Sequence, residues 1–172
     1  VAMGAASKYV DLDAAAAAQL VVVLDGVEDP HNLGAIIRTA HAAGAGAVII
    51  PERRAASVTD VVGKAAAGAL EYLPIVRVTN INRALEDLKA KQYWIYGLDE
   101  RATESYDQVD YAAPTAFVLG GEGKGLHELV RKHCDMLVRI PMAGKISSLN
   151  VSVAAGVVLF EWKRRQPPVP GR

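Results

Sequence analysis

Short apolar runs alternate with helix-like amphipathic stretches along most of the chain. Residues 20–24 form a run of valine and leucine without polar alternation, which is typical of a strand buried on both faces of a parallel sheet. Comparable runs recur at 47–50, 73–78, 93–96, 116–119 and 136–140. Helical patterns lie between and after them, at about 33–43, 58–71, 80–91, 124–133 and 150–165. The pattern predicts an α/β domain with a mainly parallel six-stranded sheet and helices on both faces.

The two ends of the chain lack this alternation. Residues 1–19 are rich in alanine and weakly patterned, and residues 167–172 are rich in proline. The folded domain is therefore predicted to span residues 20–166, followed by a flexible tail.

Composition narrows the class of protein. The chain has 172 residues, of which 51% are hydrophobic, and this suits one globular domain. No apolar run approaches the roughly 18 residues that suggest a membrane span, and no signal peptide is evident, so we expect a cytoplasmic protein. Cys134 is the single cysteine, and the four histidines show no zinc spacing with it, so no metal site is expected.

Charge is unevenly distributed although its sum is zero. Residues 122–172 hold nine Lys or Arg against four Asp or Glu, whereas residues 1–121 hold ten against fifteen. The C-terminal third is therefore basic, which would attract phosphate groups. An ordinary solvated face explains the same charges, and charge alone leaves both interpretations open.

A polar loop joins the last strand to the last helix. Pro141 and a glycine break the apolar run, and Ser147, Ser148 and Asn150 follow just before the helix that ends at the basic residues 163–165. Loops at such positions display polar groups. Ser and Asn are also ordinary N-caps, so the spacing by itself favours a capped helix over a functional site.

Two earlier segments share this mixture of turn residues and polar groups. Asp29-Pro-His-Asn32 reads as a turn in which Asn32 caps a helix beginning at Leu33, and Arg38 lies off the buried stripe of that helix. Arg38 could be a solvated side chain or a ligand for a polyanion. The segment 120–125, Gly-Gly-Glu-Gly-Lys-Gly, follows a strand but fits neither a Walker A loop nor the dinucleotide-binding fingerprint.

Taken in their order along the chain, the three segments resemble the motifs of the SpoU/TrmH RNA ribose 2′-O-methyltransferases, which belong to the SPOUT superfamily. The likeness covers residues 21–165 and is closest to the bacterial enzymes that methylate a guanosine of 23S ribosomal RNA. The resemblance implies a C-terminal trefoil knot, S-adenosylmethionine as cofactor without a metal, an RNA substrate and a homodimer. It also implies that residues 1–19 are the remnant of a linker from a missing N-terminal substrate-binding domain.

The resemblance further assigns roles to particular positions. The loops at about 97–100, 119–125 and 140–149 would form the cofactor pocket. The implied cofactor-binding residues are Gly97, Gly120, Gly121, Ile140, Met142 and Leu149. The implied catalytic residues are Asn32, Arg38, Glu122, Ser148 and Asn150. The family assigns the arginine as general base, but a guanidinium stays protonated in proteins, so we expect Arg38 to bind phosphate and stabilise the forming alkoxide.

Three other functions stay open at this point. The substrate could be a transfer RNA instead of ribosomal RNA. The chain could be a catalytically silent RNA-binding module of the same fold, although the intact polar positions of the motifs argue against it. A plain nucleotide-binding Rossmann domain is the third, and it would need a fingerprint that this sequence lacks.

Overall fold

One parallel sheet organises the chain. The computed structural model describes residues 9–15, 17–55, 60–121 and 125–167, and every pairing between neighbouring strands in them is parallel. The strands are β1 (Tyr9–Val10), β2 (Leu20–Asp25), β3 (Ala47–Pro51), β4 (Ile75–Val78), β5 (Trp94–Leu98), β6 (Glu104–Ser105), β7 (Thr115–Gly120) and β8 (Met136–Arg139). Their order across the sheet is β1-β4-β3-β2-β7-β5-β8-β6.

The parallel α/β architecture is confirmed, but the described residues form eight strands where the sequence predicted six. The six predicted strands are all present. The two additional strands, β1 and β6, are two residues long, too short to leave an apolar pattern in the sequence. They pair at the two edges of the sheet.

Helices cover both faces of the sheet. They are α1 (Pro30–Ala43), α2 (Glu52–Ala55), α3 (Asp60–Ala66), α4 (Ile81–Ala90), α5 (Glu128–His133) and α6 (Val151–Arg165), with 3-10 turns at Asp13–Ala15, Ala69–Glu71 and Tyr106–Gln108. One core joins α1, α3 and α6 to the sheet, and a second core joins α4 and α5 to its opposite face. The central strand β2 is buried along its whole length, as its uninterrupted apolar run predicts. None of the described helices is long and apolar enough to cross a membrane.

Two predicted helices are shorter in the structure. In the described part of the pattern at 58–71, Ala67 and Gly68 adopt positive φ values of 52° and 86°, which ends the α-helical path after α3. In the described part of the pattern at 124–133 the helix begins only at Glu128, since Gly125 still forms a bridge with Gly121 at the end of β7.

Helix α1 begins three residues earlier than predicted. Asp29 is its N-cap, with a side-chain oxygen that accepts a hydrogen bond from the backbone N–H of His31 at 2.8 Å. Pro30 occupies the first helical position, where its fixed φ and missing N–H suit a helix start. The prediction that Asn32 caps this helix is therefore wrong, and Asn32 Oδ1 instead accepts a hydrogen bond from outside α1.

The segment predicted as a linker packs against the domain in its described part. Strand β1 pairs with β4 at the edge of the sheet. Lys91 forms a salt bridge of 2.6 Å with Asp13, and the Tyr93 hydroxyl donates to the carbonyl of Ala18 at 2.6 Å. The folded domain consequently extends back to residue 9 at least, rather than beginning at residue 20.

Candidate active site

A cavity opens at the carboxyl ends of β5, β7 and β8, the edge of a parallel sheet at which ligands commonly bind. Its volume is about 360 Å³. Three stretches of chain line it: residues 98–101 after β5, glycines of the turn after β7, and residues 140–154 between β8 and the first turn of α6. These are the three loops from which the cofactor pocket was predicted.

Five of the six predicted cofactor-binding residues line this cavity. Leu98 joins the predicted apolar residues in its wall. The five are Gly120, Gly121, Ile140, Met142 and Leu149. The lining thus combines apolar side chains with peptide groups that carry no side chain, a surface suited to a flat heterocycle with hydrogen-bonding edges.

Gly97, the sixth predicted residue, does not line the cavity. It lies inside β5, paired with Val118 and Leu137 on the two neighbouring strands. A Cβ atom at this position would approach Cys134 Sγ and Leu126 Cδ1 to 2.7 Å each. Gly97 is therefore explained by close packing against neighbouring side chains.

The glycines after β7 are required by contacts between backbone segments. A Cβ atom on Gly120 would lie 2.2 Å from the carbonyl oxygen of Gly125, and one on Gly121 would lie 2.5 Å from that of Gly26. Gly125 adopts a positive φ of 67°, and Gly121 forms an isolated bridge with it. Gly120 and Gly125 therefore pack against each other and Gly121 packs against the end of β2, and all three glycines line the cavity.

The predicted catalytic residues Asn32, Ser148 and Asn150 lie in the region where α1 and α6 begin. Asn150 caps α6: its Oδ1 accepts from the backbone N–H and hydroxyl of Ser152 at 2.8 and 2.6 Å. Its Nδ2 donates to Asn32 Oδ1 across the helix pair at 3.2 Å. Ser148 is exposed and, like Asn150, lines the cavity. Residues 118 positions apart thus form one polar cluster at the cavity edge.

Arg38 lies apart from this cluster within one copy of the chain. It is exposed on α1, six residues after Asn32, and a helix turns by about 600° over that distance, so the two side chains point roughly 120° apart. No described residue accepts a hydrogen bond or forms a salt bridge with Arg38, and Arg38 does not line the cavity. Glu122, the fifth predicted catalytic residue, lies outside the described residues.

An ion-pair network that the sequence analysis missed shapes one wall of the cavity. Asp99 is 2% exposed and accepts hydrogen bonds from Arg101 Nε and Nη2 at 3.0 and 2.8 Å, with Arg131 Nε 3.1 Å away. Burial alone would raise the pKa of Asp99, but hydrogen bonds from Arg101 and the charges of both arginines outweigh it and lower that pKa. The signal in the sequence is the charged run 99–101 directly after a buried strand.

The described residues contain no group of three or more His, Cys, Asp or Glu placed to hold a metal ion.

Comparison with known proteins defines the class. The sequence model of the SpoU rRNA Methylase family matches residues 19–160, and the chain belongs to this family. The fold, the three loops and the cavity at the carboxyl edge agree with that membership.

Particular relatives give the comparison more detail. The chain is 53% identical over 147 residues to the 23S rRNA (guanosine-2′-O-)-methyltransferase RlmB of Pseudomonas putida, covering 86% of this chain and 59% of the relative. It is 53% identical over 148 residues to the RlmB of Haemophilus influenzae, covering 86% of this chain and 60% of the relative. The chain thus spans about three fifths of the length of these relatives.

A solved structure agrees with the sequence comparison. The SpoU methyltransferase AviRb of Streptomyces viridochromogenes, crystallised with its cofactor AdoMet, superimposes with a TM-score of 0.84 at 33% identity. The match covers 91% of this chain and 65% of AviRb.

Proposed function

We propose that the protein transfers a methyl group from S-adenosylmethionine to a ribose 2′-hydroxyl in RNA, with a guanosine of 23S ribosomal RNA as the substrate. The observation that carries this proposal is that residues of the second and third motifs line one cavity, beside the hydrogen bond by which Asn150 of the third motif contacts Asn32 of the first. The substrate follows the names of the two RlmB relatives. A transfer RNA is the competing substrate.

The cavity fits S-adenosylmethionine, which supplies an electrophilic methyl group on a sulfonium sulfur when bound. Ile140, Met142 and Leu149 would provide apolar walls for the adenine, and the peptide groups of Gly120 and Gly121 line the same cavity. The volume lies within the roughly 300–1,000 Å³ of small-molecule sites. The protein's task is then to align the ribose hydroxyl, exclude water and manage one proton.

The amide pair is suited to aligning that hydroxyl. Asn150 Oδ1 accepts the hydrogen bond of the helix cap, and Asn150 Nδ2 donates one N–H to Asn32 Oδ1. Each amide is therefore fixed by the other and by the helix start, which is the preorganisation that positioning requires. Ser148 adds an exposed hydroxyl, and Glu122 is proposed to position the reacting groups. Arg38 carries a permanent positive charge for phosphate and the forming alkoxide.

The position of Arg38 leads to the proposal that the protein acts as a homodimer in which Arg38 serves the cavity of the second copy. Val153 and Phe160 on α6 are 53% and 44% exposed, and such apolar side chains are buried when helices of two copies pack.

Mixing two inactive variants tests this arrangement. Arg38→Ala and Asn150→Ala proteins should each be inactive, whereas dissociation and reassociation of an equal mixture should restore about a quarter of wild-type activity, since half the dimers then contain one complete site. A mixture that stays inactive while forming mixed dimers would place both residues in the same copy.

The trefoil knot belongs to the same proposal. Strand β8 lies between β5 and β6, both of which precede it in the chain, and α6 then packs on α1 and β7. This insertion supports threading of the C-terminal segment through the loop between β5 and β6. A ribosomal RNA substrate would place the protein in the cytoplasm.

The proposed reaction is tested with radiolabelled S-adenosylmethionine and two RNA substrates made by transcription, 23S ribosomal RNA and a transfer RNA pool. Label in the 23S transcript, recovered as 2′-O-methylguanosine after nuclease digestion, is the expected result. Label confined to transfer RNA would overturn the substrate. Tight cofactor binding without transfer to any RNA would favour a silent binding module.

A further inference from the structure

The charged loop that follows β5 lines the cofactor cavity, yet no residue of this loop has a role in the proposed reaction so far. Glu100 and Arg101 both line the cavity, next to the buried Asp99. The predicted cofactor-binding residues that line the cavity come from the turn after β7 and the segment after β8. The loop after β5 is therefore a separate part of the wall, and it is the part that carries charge.

The Arg101 guanidinium is held on one edge and accessible on the other. Its Nε and Nη2 donate to the two carboxylate oxygens of Asp99 at 3.0 and 2.8 Å, and the Asp99 side chain is only 1% exposed. The Arg101 side chain is 52% exposed. The bonded edge thus faces the buried carboxylate. The accessible part includes Nη1, whose two N–H groups have no acceptor among the described residues.

Glu100 supplies a group of opposite charge beside it. The residue is exposed and lines the cavity, and its carboxylate forms no hydrogen bond or salt bridge with any other residue that the structure describes. A free carboxylate accepts hydrogen bonds from an ammonium group, and a free edge of a guanidinium donates to a carboxylate. Neighbouring residues of one loop therefore offer an acceptor and a donor to the same ligand.

The balance of charge around this loop argues against an RNA phosphate as the partner of Arg101. Arg131 lies 3.1 Å from Asp99 and 2.9 Å from Glu128, so the two arginines are matched by two carboxylates. Glu100 adds a further negative charge at the cavity. Phosphate binding needs an excess of positive charge, whereas a zwitterion with one carboxylate and one ammonium group suits an arginine beside a glutamate.

We propose that Arg101 and Glu100 bind the amino-acid end of S-adenosylmethionine, with Arg101 Nη1 donating to its α-carboxylate and Glu100 accepting from its α-ammonium group. This inference rests on the proposed function, in which the apolar side chains after β8 contact the adenine. Asp99 has a positioning role in this arrangement, because its two hydrogen bonds fix the plane of the guanidinium before the ligand arrives.

Three ligands that differ only at this end separate binding from a structural role. S-adenosylhomocysteine has both charged groups, its aminopropyl analogue lacks the carboxylate, and 5′-methylthioadenosine lacks both. In calorimetry, Arg101→Ala should lower the affinity for S-adenosylhomocysteine about 10-fold without weakening the other two ligands. Glu100→Gln should lower the affinity for the first two ligands about 3- to 10-fold and leave that for 5′-methylthioadenosine unchanged. Arg83→Ala, which removes an exposed arginine of α4 outside the cavity, is the matched control.

Equal losses for all three ligands in Arg101→Ala would mean that Arg101 only shapes the wall through Asp99, and would overturn the proposal. Unchanged affinity for S-adenosylhomocysteine together with a raised KM for 23S transcripts would also overturn it and assign Arg101 to RNA. If Arg101→Ala does not fold, Glu100→Gln decides, because Glu100 is exposed and wild-type affinity in that variant contradicts the proposal. A wild type that binds none of the three ligands would refute the proposed function itself, whereas binding of all three without these differences refutes this inference alone.

Discussion

The Asn150 side chain has two separate roles in this structure, and two substitutions can distinguish them. Its Oδ1 caps α6 through Ser152, and its Nδ2 donates to Asn32 at 3.2 Å. Serine is as good an N-cap as asparagine but has no amide NH₂. Asn150→Ser should therefore keep the helix start and lose the group that we assign to positioning, whereas Asn150→Ala loses both.

The sizes of the two effects follow from these contacts. Loss of the cap in Asn150→Ala should cost about 1 kcal/mol, which lowers the melting temperature of a domain of this size by about 2–4 °C. The exposed bond to Asn32 adds little, since neutral hydrogen bonds contribute roughly 0.5–1.5 kcal/mol even in better geometry. For transfer, loss of a preorganised donor typically costs about 100- to 1,000-fold in rate. Asn150→Ser should show the rate loss with a melting temperature close to the wild type.

Three measurements on the same samples check this reasoning. Thermal unfolding reports the cap, calorimetry with S-adenosylhomocysteine reports the cavity, and single-turnover methylation of 23S transcripts reports the reaction. We expect cofactor affinity to change little, because Asn150 sits at the cavity rim. If Asn150→Ser retained more than half of the wild-type rate, Asn150 would be a helix cap only, and the positioning role assigned to the amide pair would be wrong.

Three further predictions address other parts of the site. Arg38→Ala should reduce methyl transfer about 100- to 1,000-fold at unchanged cofactor affinity. Arg38→Lys should restore little activity, because lysine lacks the planar guanidinium group of arginine. Turnover above half of wild type in Arg38→Ala would mean that Arg38 is a surface residue without a role in the reaction. Gly120→Ala should weaken S-adenosylhomocysteine binding at least 10-fold by calorimetry and destabilise the fold by about 1–3 kcal/mol, because the new Cβ atom would lie 2.2 Å from the Gly125 carbonyl oxygen. Gly144→Ala is the control and should be neutral, because its Cβ atom would have no neighbour within 4 Å among the described residues. Asp99→Asn should destabilise the protein by about 2 kcal/mol at neutral pH, less than the loss of a fully buried ion pair would, because Arg101 is half-exposed. Folding lowers the pKa of Asp99, so the stabilisation by its carboxylate is present above the unfolded pKa of about 3.9 and is lost as the pH falls through the folded pKa. The difference in melting temperature between Asp99→Asn and wild type should therefore vanish at lower pH.

The cavity lies where the sequence predicted a pocket, because the ends of buried strands are easy to find in the sequence. Uninterrupted apolar runs identify strands buried on both faces, and their carboxyl ends meet at one edge of a parallel sheet. The polar stretches after 119 and 140 were therefore expected at the same edge of the sheet. The hydrogen bond between Asn32 and Asn150 shows that the loop after β2 reaches the same region.

Reasons for individual residues were harder to predict, because they depend on contacts between distant segments. Gly120 was predicted to bind the cofactor, yet a Cβ atom at this position would first meet Gly125. Gly97 was assigned to the cofactor but is explained by packing against Cys134. Asp99 also forms a salt bridge with Arg131, 32 positions later in the chain, and no local sequence pattern predicts that pairing.

Neither the sequence motif nor a single copy of the chain explains how Arg38 could act at the cavity. Its motif places it near Asn32 along the chain, but helical geometry directs the two side chains about 120° apart. Because Asn32 is held toward α6 by Asn150, rotation of α1 to bring Arg38 inward would break that contact and expose the buried stripe of Ile36 and Ile37. The fold therefore leaves two consistent arrangements: Arg38 either has no part in the reaction, or it acts on a cavity that another copy provides. Loss of activity in Arg38→Ala together with recovery in the mixed dimer would select the second.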